Sequence, residues 1–240
     1  MADWDTEAQE YATNGVIRLR EFFDINHINE LRSQLNRYVD EVLANQAQPH
    51  CTYEADGKTI RNLWRLDLYD GYFRQLANDD RLLSLVGHLV KGEPELVAVE
   101  TFNKPARVGS GVPYHQDNAY FCQSPPDVLT VWIAIDPVTV ENGAVYYIQG
   151  SQHQGMLPTK PSGTAGNSIG LSEEPEIPKS TQFCCTLEPG DMAIHHCQTI
   201  HHSDPNTSDK SRLGLLMVFK GSHTKKDHRL SKVYASAQTN

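Results

Sequence analysis

The chain has 240 residues, of which 39% are hydrophobic and 21% charged, and a formal net charge of -9. That length suits one large domain able to bury most of its apolar surface without staples. The charge argues against a nucleic-acid surface, which needs clustered Lys and Arg. It does not exclude a small anionic substrate. No run approaches the ~18 apolar residues of a membrane span.

The start, Met1-Ala2-Asp3-Trp4-Asp5, lacks the basic and apolar regions of a secretory signal. Five cysteines (Cys51, Cys122, Cys184, Cys185, Cys197) form no CxxC pair. The expectation is a cytoplasmic protein with reduced thiols.

In chain order, residues 11–23 read as a short strand, Gly15 to Leu19, and a turn at Glu21-Phe22-Phe23. Asp24 is placed to cap a helix, with Phe23 and Ile28 as a hydrophobic staple. Ile28, Leu31, Leu35, Tyr38 and Val42 make one apolar stripe at helical spacing. Residues 45–60 are polar and loop-like. Residues 61–69 mix charge with large apolar groups. They read either as a pocket wall with Arg61 or Arg65 facing an anion, or as a surface strand with snorkelling arginines. Asn78 or Asp79 can cap a second helix carrying Leu82, Leu83, Leu85, Val86, Leu89 and Val90, stopped by Gly92 and Pro94.

From Glu95 the pattern changes. Runs at 96–102, 128–135, 144–148, 183–187, 192–196 and 213–219 are short, β-branched or aromatic, and separated by Gly, Pro, Asn and Asp. Such runs without intervening helices predict an antiparallel sandwich or barrel. The class is therefore α+β, with a jelly-roll core over about 95–222 and a helical N-terminal part over about 1–94, in a single domain spanning 1–240. Residues 154–180, dense in Gly and Pro, are expected to be a lid or disordered. The basic tail after Gly221 reads as solvated.

The chemistry gathers in two places. His115-Gln116-Asp117 sits among Tyr114, Tyr120 and Phe121, and on a strand its imidazole and carboxylate would share one face. The stretch from Gly190 to Arg212 holds four of the eleven histidines. Two histidines and one carboxylate on one face of a metal, with open positions opposite, is the arrangement of non-haem Fe(II) oxygenases. Zinc accepts the same donors, so the triad alone leaves the metal open. Arg212 discriminates. It follows His201 by eleven residues, across a turn at Asp204-Pro205-Asn206, and its guanidinium can pair in bidentate fashion with a carboxylate. A 2-oxo acid chelating iron and anchored at its far carboxylate is 2-oxoglutarate, and a zinc hydrolase has no need of that anchor.

With these residues in place, the chain resembles the phytanoyl-CoA dioxygenase family of Fe(II)/2-oxoglutarate oxygenases over about residues 11–220. The matches are His115-Gln116-Asp117, Trp132-x-Ala134-Ile135, Glu141-Asn142-Gly143, Ile148-x-Gly150-Ser151-x-His153, Gly190-Asp191, and Ile200-His201-x-Ser203-x-Pro205-Asn206 leading to Arg212. Asn103-Lys104-Pro105 also looks familial. The resemblance implies a double-stranded β-helix, a cupin-like jelly roll, with supporting helices. It also implies His115, Asp117 and His201 as iron ligands, Arg212 as the 2-oxoglutarate anchor, and Gln116, Trp132 and Ser203 as cosubstrate neighbours. His195 and His202 depart from the family pattern. His196 fits its second histidine, a hydrogen-bonding core residue, and His202 would point away from the metal.

The activity so implied is hydroxylation of a C–H bond in a small soluble molecule, with O2 and 2-oxoglutarate consumed and succinate and CO2 released. Retention of Asp117 disfavours halogenation, for which related enzymes carry a small residue there. Candidate substrate residues are Arg61, Arg65, Glu100, Asn103, Tyr120 and Phe121. Two alternatives stand beside it: an aminoalkylphosphonate hydroxylase of the 2-aminoethylphosphonate type, and a non-catalytic cupin-like binder of metal or small molecules. No nucleic-acid or membrane partner is expected.

Overall fold

The computed structural model describes residues 3–238. Asp24 caps helix α2 (Ile25–Arg37) as expected, its carboxylate accepting from the amides of Asn26 and His27. Ile28, Leu31 and Leu35 are buried on its inner face. A π-helical turn over Tyr38–Val42 then adds a residue, so Leu43 is buried and Val42 only half-buried. Before it lies α1 (Asp5–Asn14), which the sequence reading did not anticipate, ended by Gly15 in the left-handed conformation. Asp79 rather than Asn78 caps α5 (Asp80–Leu89), after two short helices, α3 (Leu66–Tyr69) and α4 (Gly71–Leu76).

The strands are β1 (Val16–Leu19), β2 (Cys51–Tyr53), β3 (Ile60–Leu63), β4 (Pro94–Lys104), β5 (Val112–His115), β6 (Gln123–Ser124), β7 (Val128–Ala134), β8 (Val145–Tyr147), β9 (Thr159–Thr164), β10 (Asn167–Leu171), β11 (Phe183–Cys185), β12 (Met192–His196), β13 (His201–Ser203), β14 (Arg212–Gly221) and β15 (Lys225–Lys226). Seven form the larger sheet, in the order β1-β12-β7-β14-β4-β3-β2, and four the smaller, β11-β8-β13-β5. Every pairing is antiparallel. The α+β class with a jelly-roll core is therefore as expected. The division at residue 94 is not: β1, β2 and β3, all from the N-terminal part, complete both ends of the larger sheet.

Strand alternation sends the two faces of that sheet to different tasks. Leu129, Val131, Ile133, Met192, Ile194, Leu215, Met217 and Phe219 pack with the helices in the main core. Each such fully buried side chain contributes roughly 1.5–3 kcal/mol. The opposite parity, including Thr130, Trp132, His195, Arg212 and Leu216, turns toward the smaller sheet and lines the interior.

The Gly/Pro-rich insertion is ordered as the β9/β10 hairpin, packed beside β5. The tail is not simply solvated. Residues His228–Gln238 form α7, which packs on α6 (Asn118–Phe121) and on that hairpin. No helix among the described residues is long and apolar enough to cross a membrane.

Candidate active site

His115 and His201 are direct cross-strand partners on β5 and β13, with Tyr147 of β8 on the other side of His201. Asp117 does not lie on a strand. β5 ends at His115 and the chain enters a helical turn, with Asp117 at φ -60, ψ -30. The turn, not strand parity, brings its carboxylate round to the imidazoles. One donor atom from each of the three residues lies within 4.8 Å of the others.

The hydrogen bonds fix which atoms face inward. Nδ1–H of His115 donates to the Pro113 carbonyl and Nδ1–H of His201 to that of Thr199, both at 2.9 Å. A carbonyl only accepts, so each Nε2 is left with its lone pair toward the centre. Asp117 Oδ2 accepts from Thr130 Oγ1 at 2.9 Å and from His195 Nε2 at 3.0 Å. Tyr147 in turn lies 3.1 Å from His195 Nδ1 and donates to it. Oδ1 remains, 3.5 Å from His115 Nε2 and 3.6 Å from His201 Nε2. Burial alone would raise the Asp117 carboxyl, but the surrounding imidazoles of His201, His115 and His195 outweigh it and hold it well below its usual range. Burial, with His115 beside it, pushes the His201 pKa well below its ordinary value. Three lone-pair donors, ionised or neutral as a divalent cation requires, converge on one point. The set fits a metal ion.

Arg212 opens β14 on the same interior face and is 1% exposed. Its guanidinium stands over Trp132 at 5.0 Å and Phe102 at 5.8 Å, and Nη1 donates to the Gly143 carbonyl at 2.7 Å. Gly143 (φ +91) is the turn residue of Glu141-Asn142-Gly143, held by the Asn142 side chain on Thr139 N and Pro137 O. Burial lowers the Arg212 pKa only to about 10, so the group stays cationic at neutral pH. Its Nε is buried without a partner. An anion in this cavity would satisfy it. Trp132 and Ser203 line the same cavity, of about 450 Å³.

Other expected residues lie elsewhere. Gln116 faces away from the cavity. Its amide donates to the carbonyls of Gly155 and Gln198 and its oxygen accepts from Leu157 N, so it pins the insertion. Arg61 is fully buried behind Phe102, paired with Glu54 at 3.0 Å. Arg65 pairs with Asp67 at 2.9 Å, and Asn103, of the wrong parity on β4, donates to Ile60 O. None of these four lines the cavity, whereas Glu100, Tyr120 and Phe121 do. The inward member of the histidine pair is His195, not His196. Ile194 already faces the helices, so His196 follows it to that side, near the ring of Tyr11. His202 stacks between Tyr114 and Tyr146 and bonds to Gln182, directed away from the triad.

Asn62 and Trp64 also line the cavity, so the 61–69 stretch is a pocket wall through these two rather than its arginines; Thr130, Tyr147 and Tyr234 line it too and were not anticipated. Thr130 was legible, since it shares the parity of Trp132. Tyr234 lies in the tail that reads as solvated, although Leu230, Val233 and Tyr234 recur there at helical spacing. Gly190-Asp191 is structural. A side chain at Gly190 would strike Phe23 O, and Asp191 accepts from the amides of Glu21 and Glu188 and from Arg20.

A family model described as Phytanoyl-CoA dioxygenase (PhyH) matches residues 11–214. The chain belongs to the phytanoyl-CoA dioxygenase family. It is similar to a phytanoyl-CoA dioxygenase domain-containing protein 1 homolog of Caenorhabditis briggsae, 29% identical over 154 residues, which are 61% of this chain and 54% of that one. It is also similar to a probable alpha-ketoglutarate-dependent hypophosphite dioxygenase of Stutzerimonas stutzeri, 25% identical over 223 residues, 89% of this chain and 77% of that one. The chain thus spans about half the length of the first of these relatives. In fold it resembles EctD from S. alaskensis, crystallised with 2-oxoglutarate and 5-hydroxyectoine. The TM-score is 0.75, with 17% identity, 90% of this chain and 76% of that one covered. The cofactors of the family's enzymes, iron and 2-oxoglutarate, match the donor set and the buried cation found here.

Proposed function

We propose that the protein is an Fe(II)/2-oxoglutarate-dependent dioxygenase that hydroxylates a C–H bond of a small molecule. The observation that carries this reading is the pairing of the His115–Asp117–His201 donor set with a buried, incompletely bonded Arg212 in one cavity. Iron with 2-oxoglutarate supplies the oxidising chemistry, in which O2 is consumed, succinate and CO2 are released and one oxygen atom goes to the substrate.

The chain supplies the rest. His115 Nε2, His201 Nε2 and Asp117 Oδ1 would hold the metal, with their tautomers and orientation fixed by Pro113, Thr199, Thr130 and His195. Arg212 would receive the far carboxylate, with Ser203 beside it. Trp132 and Phe102 wall the guanidinium and keep water from competing for it. Tyr120 ties the β9/β10 hairpin to the cavity wall, its hydroxyl donating to Ile169 O at 2.7 Å.

The test is binding and turnover in parallel. Wild-type protein is expected to bind 2-oxoglutarate with Fe(II) under anaerobic conditions and to release succinate when O2 is admitted. Asp117→Ala should lose the metal. Arg212→Ala should keep the metal but lose about 10- to 150-fold in 2-oxoglutarate affinity, the equivalent of ~1.5–3 kcal/mol for charge-assisted hydrogen bonds. Unchanged 2-oxoglutarate binding in Arg212→Ala would return the site to a metal hydrolase or a plain binder.

A further inference from the structure

We propose that the substrate carries a protonated amino group, seated against Glu100 and enclosed by the aromatic walls of the cavity. The inference rests on the oxygenase reading for its assignment of Arg212, and goes beyond it by naming the substrate's chemical class.

Glu100 sits on β4 with the parity of Phe102, opposite Leu216 on β14, and lines the same cavity as the triad. No side chain or amide among the described residues donates to its carboxylate. The one cation near enough to act on it is Arg65, already paired with Asp67, while Asp117 and Asp67 add like charge. Burial pushes the carboxyl up to about 7. A cation beside it would restore the ionised form and satisfy its oxygens.

A second acceptor stands on the adjacent strand. Asn62 of β3 is fully buried and lines the cavity. Its Nδ2 donates to Thr101 O at 3.1 Å, which fixes the amide, and leaves Oδ1 with no donor. Asn62 Oδ1 is buried against Gly166, so the acceptor that calls for a donating ligand is the Glu100 carboxylate.

The surrounding surface selects a cation over a neutral donor. Trp64, Phe102, Tyr120, Phe121 and Tyr234 line the same cavity as Glu100. Aromatic faces attract an ammonium, and more strongly when it is desolvated. Arg212 is the one Lys or Arg among the described residues lining the cavity, and the cosubstrate is assigned to it. A phosphonate or second carboxylate on the substrate would therefore meet no free cation. Of the aminoalkylphosphonate alternative, the amino end finds a partner and the phosphonate end does not.

The experiment uses the full chain loaded with Mn(II), which does not turn over, and 2-oxoglutarate. Calorimetric titrations are run with 2-phenylethylamine, n-hexylamine, 2-phenylethanol and 3-phenylpropionate, on wild type and on Glu100→Gln. The amines should bind at least ~10-fold more tightly than the alcohol, and the carboxylate weakest. Glu100→Gln should bring amine and alcohol within about threefold of each other. The thermal midpoint of the variant, expected at or above that of wild type because a half-buried carboxylate without a donor is removed, separates loss of binding from loss of fold. Equal affinity for amine and alcohol, no heat from either amine, or a preference that survives Glu100→Gln would each overturn the proposal. Titration of 2-oxoglutarate into the Mn(II) protein is scored by itself: its failure overturns the oxygenase reading, and the amines are then titrated into the protein without it.

Discussion

Gly214→Ala is the substitution that most directly probes the packing behind Arg212. An added methyl at Gly214 would lie 2.1 Å from Trp132 Cζ2, 2.4 Å from Cε2 and 2.6 Å from Cη2, where ordinary contact begins at 3.4 Å. The indole must therefore move by about 1 Å or more. It has little room, being 5% exposed and set between Ala193 on β12 and Leu216 on β14. Overpacking of this kind costs about 1–3 kcal/mol. For a chain of this size the thermal midpoint should fall by about 2–12 °C. The displaced ring is also the platform under the Arg212 guanidinium, so 2-oxoglutarate affinity should fall in the same variant. Trp132→Leu removes the struck atoms. In a double-mutant cycle the pair should show a favourable coupling of about 1–3 kcal/mol, read from urea unfolding. A Gly214→Ala protein that melts like wild type, or single costs that simply add, would refute the reasoning.

Glu100 predicts a pH dependence of stability. Its carboxyl is pushed up to about 7 from an ordinary value of 4.5, chiefly by burial. Folding therefore favours the protonated form, whose contribution is fully present below pH 4.5 and is lost as pH rises through 7. Glu100→Gln should gain on wild type across that window by about 3 kcal/mol, from ~1.4 kcal/mol per unit. Urea midpoints of chelator-treated protein check this, and a pH-independent difference contradicts it. His195→Phe removes the donor to Asp117 Oδ2 at 3.0 Å. Fe(II) affinity should fall about 10- to 100-fold, as for other partners of metal ligands, measured by competition with a chromogenic chelator. Affinity within twofold of wild type would make His195 a packing residue only.

The residues visible in the sequence were those whose role is set by spacing along one strand or across one turn. His201 and Arg212 are of that kind, because a single turn separates their strands in sequence, even though those strands fall in different sheets. So are the Asp24 cap and most β runs. What was not legible depends on where a side chain goes after it leaves the backbone. Arg61 and Arg65 have the chemistry of anion ligands, yet nearby carboxylates, Glu54 and Asp67, hold them elsewhere. Gln116 lies between two residues of the triad and faces the other way. The family match leaves open which of His195 and His196 faces inward, although Met192 and Ile194 already set the helix-facing parity of β12. Helix α1 buries chiefly Tyr11 and so carried no stripe, whereas α7 does space Leu230, Val233 and Tyr234 helically, a signal obscured by the basic residues that precede it. The convergence of His115 and Asp117 was anticipated for the wrong reason, since a helical turn rather than a strand delivers the carboxylate.

The two halves of the site come from different sheets. His115 and His201 belong to the smaller sheet, and Arg212 to the larger. A molecule gripped at one end by the metal and at the other by the guanidinium would act as a clasp across the sandwich, resisting any sliding or parting of its layers. Loading the cosubstrate is then also a mechanical event. It should slow amide exchange in β13 and β14 together, and raise the force or heat needed to open the protein, by RT ln(1 + [L]/Kd) at equilibrium.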